Sequence, residues 1–404
     1  MKIGILQTAY KKAGDYGKFY NVQELGLARA LAAKGCEVVL YKAVDGDGRE
    51  YCENYSDKTF EKADESIENI AVLSKLTIKL EGVKYIGING LFDVNSLDSS
   101  LDVLIYFSDT QIVVPKIYKW CVKNRVAFYP YIGVMESHSE SGLKREIMQF
   151  VAKRNLAIYK KCKVFVKTPE MKEYFDRQKC KEVKLLSVGL DETVMNHEVG
   201  VEVTSKSTCS DADNKITRLL FVGRMEEEKH PLEMITIFEN LISDGSNSDS
   251  EVSERLHRYS LTMIGDGYMF DDVYTAAAIL KKKYDLPNEA LQVIRQVPYE
   301  EMHSYYRKSD VYINLNRVEI LGMSILEAMY YKCPVVAVIA PGPKFILKDE
   351  YGIIARDAED VLTIIKRLSK NYNDYSEMIE NAYNHVRDEF TWEAISDKLL
   401  EEIK

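Results

Sequence analysis

The stretch VYINLNRVEILGMSILEAMYYKCPVVAVIAPGP, residues 311–343, holds two short apolar runs separated by a turn and a helical segment. The runs at 311–316 and 334–340 have the length and composition of buried parallel strands. Gly322 lies in the turn, and the helix is expected from about Met323. A strand, a turn, a helix and a second strand in this order form a crossover unit, which joins parallel strands of one sheet. This segment alone predicts an α/β fold.

The same alternation extends in both directions. In the second half, strand-like runs stand at ITRLLFVG (216–223), SLTMIGDG (260–267), LQVIRQV (291–297) and YGIIARD (351–357). In the first half they stand at KIGILQT (2–8), CEVVLYKA (36–43), VKYIGI (83–88), DVLIYF (102–107), VAFYPYI (126–132) and KVFVKT (163–168). Between the first two, residues 21–35 read as a helix, with Asn21 as N-cap, Glu24 completing a capping box and Gly35 past the end. Residues 197–214, rich in Ser, Thr, Asp and Asn, have no apolar periodicity and read as a linker, while 243–254 read as a surface insertion. The expected organisation is a first doubly wound domain over 1–196, a linker over 197–214, a second over 215–388 and a terminal segment over 389–404. Two such domains leave a cleft between their sheet edges, and ligands bind beyond the carboxyl ends of the strands.

Composition narrows the function classes. The chain has 404 residues, enough for roughly two to three domains. Its net charge of −9 disfavours a general nucleic-acid binder, so any anionic ligand must be held by local cations. No apolar run reaches the length of a membrane span. The start MKIGILQTAY lacks a signal-peptide layout, and a cytoplasmic location is expected. The seven cysteines are scattered and never form a Cys-x-x-Cys pair, which suits reduced thiols rather than disulfides or zinc. The six histidines show no ligand spacing, so neither a metal nor a cofactor is expected.

Chemistry concentrates in two places. Glu319 and Glu327 have seven residues between them, and Gly322 permits a ligand close to the backbone just before the helix. The first amides of that helix, near Met323, Ser324 and Ile325, lack intrahelical partners and suit a phosphate. The two carboxylates would repel a phosphate and accept from hydroxyl groups instead. A ligand with an anionic centre and diols at both ends fits, as in a nucleotide-sugar; the alternative is a plain strand–turn–helix with solvated glutamates. The second place is RLLFVGRMEEEKHPLEMI, where Gly223 ends a strand and Arg224 and Lys229 follow. Two cations there are placed to neutralise a diphosphate, or else they balance Glu226, Glu227 and Glu228.

The order GR-x-x-x-x-K at 223–229, IGDG at 264–267, EILGMSILEAM at 319–329 and Phe-Thr-Trp at 390–392 resembles the retaining glycosyltransferases of family 4. The resemblance covers essentially the whole second domain. It implies the GT-B fold, two Rossmann-like domains facing across a cleft, and metal-independent transfer of a sugar from a nucleotide-sugar. It further implies that Arg224 and Lys229 hold the donor diphosphate, that Glu319 contacts the sugar hydroxyls or the reacting face, and that Glu327 meets the ribose. The backbone from Gly322 through Met323, Ser324 and Ile325 would bind phosphate, and the last helix, about 392–404, would pack back on the first domain.

In the first domain the family often has two adjacent glycines after its first strand. Here Gly14 and Gly17 are apart, and Gly17 is the candidate for close approach to phosphate or sugar. His138 corresponds to a family histidine that contacts the donor sugar, against a simpler reading as a solvated loop residue. The basic helix at 143–162 places Ile147, Val151 and Ile158 on one face. That face packs on its own sheet, the simpler reading, or meets the inner face of a membrane while a lipid-linked acceptor is glycosylated. A glycan and a small molecule are the other acceptor classes. Two further readings are another GT-B enzyme, such as an epimerase or phosphorylase, and a non-catalytic nucleotide-sugar-binding subunit.

Overall fold

The computed structural model describes residues 1–8, 23–44, 82–86, 91–92, 94–107, 111–135, 142–195, 216–243 and 258–403. The chain divides into two compact units, Met1–Asp191 with Thr391–Lys404, and Glu192–Phe390. The linker expected at 197–214 lies outside the described residues.

In the first unit, eight strands form one sheet: β1 (Lys2–Gln7), β2 (Glu37–Val44), β3 (Gly82–Ile86), β4 (Leu91–Phe92), β5 (Val103–Phe107), β6 (Ala127–Ile132), β7 (Lys163–Val166) and β8 (Glu182–Leu185). They lie in the order β4-β3-β2-β1-β5-β6-β7-β8. All neighbours are parallel except β3 and β4. Strands β1 and β5 are apolar and buried because helices cover a parallel sheet on both faces. The first helix, α1 (Gln23–Ala33), ends before Gly35 as expected; its proposed N-cap, Asn21, is outside the described residues. The terminal helix (Trp392–Ile403) packs on α1. The approach is close: a Cβ on Gly26 would sit 2.2 Å from Trp392 Cδ1.

The basic helix spans Gly142–Tyr159, ending short of the expected Cys162. Its apolar face differs from the expectation as well. Val151, Asn155 and Tyr159 are buried, whereas Ile147 is 50% exposed and Phe150 68%. The packed stripe thus covers only the later turns, and a polar Asn155 occupies its middle, donating to the Gln111 carbonyl at 2.7 Å.

The second unit holds six parallel strands: β9 (Thr217–Val222), β10 (Tyr259–Ile264), β11 (Leu291–Ile294), β12 (Val311–Asn314), β13 (Val335–Val338) and β14 (Ile353–Ala355). The order is β11-β10-β9-β12-β13-β14, so within the unit the strands run 3-2-1-4-5-6. That is the doubly wound nucleotide-binding order. Leu219, Phe221, Leu261, Met263, Val311, Ile313 and Val336 fill the layer between the sheet and helices such as Pro231–Ser243 and Ala358–Lys370. Buried Asp310 ties the starts of the two central strands, accepting from the Arg218 amide and Nε at 2.9 Å each.

Candidate active site

Strands β9 and β12 are neighbours at the point where the chain changes its direction of building. From β9 the sheet grows through β10 and β11, and from β12 it grows the other way through β13 and β14. The loops leaving these two strands therefore diverge, opening a crevice at their carboxyl ends. The β9 loop carries Gly223, Arg224 and Lys229, and the β12 loop carries Glu319 and Gly322.

A largely buried ion pair joins these loops. Lys229 Nζ lies 2.6 Å from Glu319 Oε2, with the side chains only 18% and 13% exposed. The same oxygen accepts from Asn316 Nδ2 at 3.2 Å. Asn316 is itself fixed, since its amide donates to Asn314 Oδ1 at 3.0 Å and its Oδ1 accepts from the Val318 amide at 2.9 Å. This ladder of two buried asparagines shapes the turn and aims the carboxylate. An anion arriving at Lys229 competes with Glu319 for the ammonium, while Asn316 keeps Glu319 in place. Arg224 stands apart from this pair, 62% exposed and joined to Glu226 and Glu228. A cavity of about 370 Å³ beside it is lined by Glu226, Glu227, Glu228, His230, Tyr268, Arg317 and Val318.

The β9 loop is held by its neighbour. Gly223 donates to the Ile264 carbonyl at 3.0 Å and Met225 to that of Asp266 at 2.9 Å. The fit explains the glycines of the IGDG turn, because a Cβ on Gly265 would lie 1.8 Å from the Gly223 oxygen and one on Gly267 2.4 Å from that of Met225.

Beyond Glu319 the chain enters a short helix, α2 (Met323–Tyr330), through Gly322 at φ +95°. That left-handed conformation favours glycine. The first intrahelical bonds run from Ile325 and Leu326 to the Gly322 carbonyl, at 3.0 and 3.2 Å. The amides of Met323 and Ser324 precede them, at the positive end of the helix dipole. Ser324 Oγ accepts from Tyr312 Oη at 2.7 Å, and that hydroxyl also lies 3.3 Å from the Val222 carbonyl, linking the helix start to the end of β9.

Glu327, one turn further on, is 2% exposed. Its Oε2 accepts from Tyr306 Oη at 2.8 Å, and its Oε1 is buried with no partner among the described residues. Burial pushes the carboxyl up to about 7, against the opposing effect of the Tyr306 bond. Sequence reading brought Lys229, Glu319, Gly322, Met323, Ser324, Ile325 and Glu327 to this region, and missed Asn316, Tyr306 and Tyr312. The signal for Asn316 was present as two asparagines in INLN, polar residues where a buried strand would continue apolar. Gly17 and His138 lie outside the described residues. Among the described residues no group of three or more His, Cys, Asp or Glu is arranged to hold a metal ion, and no helix is long and apolar enough to cross a membrane.

A doubly wound sheet with a cation, a carboxylate and a helix start at its switch point has the build of a domain that binds an anionic, hydroxyl-bearing ligand. Residues 206–385, within the second unit, match the family model of Glycosyl transferases group 1. Glycosyltransferase 1 domain-containing protein 1 of Xenopus tropicalis is 26% identical over 132 residues, 32% of this chain and 37% of that protein. Trehalose synthase of Pyrococcus horikoshii is 28% identical over 145 residues, 35% of each chain. The matches thus span about a third of the length of these curated relatives. Among solved structures, Anabaena HepE in complex with UDP aligns with a TM-score of 0.67 at 13% identity, over 100% of this chain and 99% of that one. Sucrose-phosphate synthase from Thermosynechococcus elongatus aligns at 0.62 and 16% identity, over 99% and 98%. The likeness is one of fold, and the fold is that of GT-B glycosyltransferases.

Proposed function

We propose that the protein is a glycosyltransferase that moves a sugar from a nucleotide-sugar to a hydroxyl acceptor, retaining the anomeric configuration and needing no divalent metal. The observation that carries the reading is the Lys229–Glu319 pair, at 2.6 Å, standing before the helix that Gly322 opens. As the nucleoside diphosphate departs, negative charge grows on its phosphate oxygens. Lys229, the amides of Met323 and Ser324, and Arg224 once it leaves Glu226 and Glu228 supply positive charge where that growth occurs, the role a metal fills elsewhere. Glu319, held by Asn316, takes the sugar hydroxyls near the reacting carbon, and Glu327 takes the ribose. The acceptor is a glycan or a lipid-linked sugar. The UDP-glucose complex of HepE and the UDP-bound relatives of the same fold support a nucleotide-sugar donor.

Thermal unfolding against UDP-, GDP-, ADP- and dTDP-sugars, with and without EDTA, tests the donor site, because a ligand of the folded state raises the midpoint. A shift for one nucleotide class that EDTA leaves intact is expected. Nucleoside diphosphate release that depends on an acceptor, with a product of unchanged anomeric configuration by NMR, tests transfer. No shift with any donor overturns the reading, as does release that needs a divalent ion.

A further inference from the structure

Glu327 does not set its own position. Tyr306, on the helix Tyr299–Lys308, is fully buried and reaches its Oε2 at 2.8 Å. The Tyr306 ring is stacked on Tyr331, with centroids 5.8 Å apart at 20°, and tilted against Tyr312 at 6.0 Å. Tyr312 in turn holds Ser324. With both ring faces occupied, the hydroxyl is confined to one place, and the carboxylate it grips is confined with it. One oxygen is thereby used and the other, Oε1, is buried and unpartnered, an arrangement costly to leave unfilled.

We propose that Tyr306 is a positioning residue, which fixes the Glu327 carboxylate by one oxygen so that the other is left to accept from a ribose hydroxyl of the donor. The proposal rests on the reading that Glu327 takes the ribose. The groups around the carboxylate are few. Tyr306 comes from the preceding helix, Tyr312 from β12 and Tyr331 from the end of α2, while Arg307 and His303 face the Tyr331 ring at 5.4 and 6.4 Å. Glu192, on a separate short helix, is bonded to Tyr330 at 3.1 Å. Among the described residues, the Tyr306 bond alone favours the ionised carboxyl against its burial. Its removal therefore moves the pH at which Glu327 ionises upward as well as loosening its geometry.

The test measures binding of UDP, GDP and ADP and of their 2′-deoxy counterparts from pH 6 to 9, in the wild type, Tyr306→Phe and Glu327→Gln. The wild type prefers ribonucleotide, with affinity rising as Glu327 ionises. In Tyr306→Phe the ribonucleotide affinity falls about tenfold near neutral pH, as for loss of a bond to a charged group. The deoxy affinity is unchanged, and the rising limb moves to higher pH. In turnover, KM for the donor rises with kcat nearly constant. A Tyr306→Phe protein with the wild-type preference and pH limb overturns the positioning role. If Glu327→Gln also keeps the preference, the ribose assignment itself is wrong; if it loses it, only the Tyr306 role fails. Should Tyr306→Phe not fold, fluorotyrosine at this position supplies a stronger donor of the same shape and moves the limb to lower pH. An unmoved limb there overturns the proposal.

Discussion

Replacing Glu327 by glutamine separates the stability of the second unit from its binding function. The carboxyl stands at about 7 because it is buried, against 4.5 for an ordinary glutamate. In the folded state it holds its proton more tightly than in the unfolded chain. Its contribution is therefore fully present below pH 4.5 and is lost as pH rises through 7. At about 1.4 kcal/mol per pH unit of difference, the ionised form costs up to about 3 kcal/mol once both states are charged. Glutamine cannot ionise. It leaves an amide that is buried and incompletely bonded, but that cost does not vary with pH. The quantity to measure is thus the change with pH in the stability difference between Glu327→Gln and wild type, by urea unfolding from pH 4 to 8.5. The variant gains on the wild type by up to about 3 kcal/mol over that range, roughly 6–12 °C in midpoint for a unit of this size. Its nucleotide-sugar binding weakens above about pH 7, where the wild-type carboxyl is ionised. Parallel pH profiles of the two proteins would show that the carboxyl is not held neutral by burial, and the reasoning would fail.

Three other outcomes follow from named contacts. Lys229→Ala and Glu319→Gln each lower transfer by at least about a hundredfold while the protein still folds, the first because it removes positive charge that meets the departing diphosphate and the second because it weakens the hold on the sugar hydroxyls; full activity in either removes that residue from the mechanism. His385 is 8% exposed, stacked on Tyr351 at 4.0 Å, with Nε2 unpartnered among the described residues, and burial pushes it down to about 4. Nearby Lys348 adds to the depression, while Glu389, Asp388 and the Ile346 backbone oppose it. The stability it permits is present above 6.5 and is lost as pH falls toward 4, by up to about 3 kcal/mol, so His385→Phe flattens the acid limb of an unfolding profile; an unchanged limb refutes this. Gly26→Ala drives a methyl into the buried Trp392 ring and lowers stability by about 1–3 kcal/mol despite alanine's better helix propensity. Differential scanning calorimetry checks this, and a more stable variant contradicts the packing.

The fold was legible because buried parallel strands and their helices leave local marks. Every strand read from an apolar run in the second half appears, within a few residues, among β9 to β14. Two strands of the first unit were not read. The pair at Leu91–Phe92 is too short to show a period, and EVKL at 182–185 lies at the sheet edge with all four residues half-buried. An edge strand loses the continuous apolar character that marks a central one. The basic helix misled for a related reason. Its sequence periodicity identified a stripe, yet whether Ile147 on that stripe is covered depends on what the rest of the chain places over its first turns.

The site was legible in its residue types and not in their environments. Glu319 and Glu327, the same residue twice on one short segment, read as equivalent partners for hydroxyl groups. Folding makes them different. Glu319 leaves a turn built by Asn314 and Asn316 and meets a cation from the β9 loop, which lies some ninety positions earlier. Glu327 points from a helix into a layer of tyrosines and, among the described residues, meets no cation there but a hydroxyl from the preceding helix. The first is a charge balanced by an opposite charge; the second is a charge opposed by burial. Neither Lys229 nor Tyr306 is near its glutamate in sequence, so no spacing within the segment separates the two roles. The separation comes from the 3-2-1-4-5-6 strand order, which brings the β9 loop to Glu319. It also comes from the packing of the Tyr299–Lys308 helix, which brings Tyr306 to Glu327. On the proposed reading the reacting sugar meets the carboxylate that is paired with Lys229 and aimed by Asn316, whereas the ribose meets the one whose proton affinity burial raises and a single hydroxyl moderates.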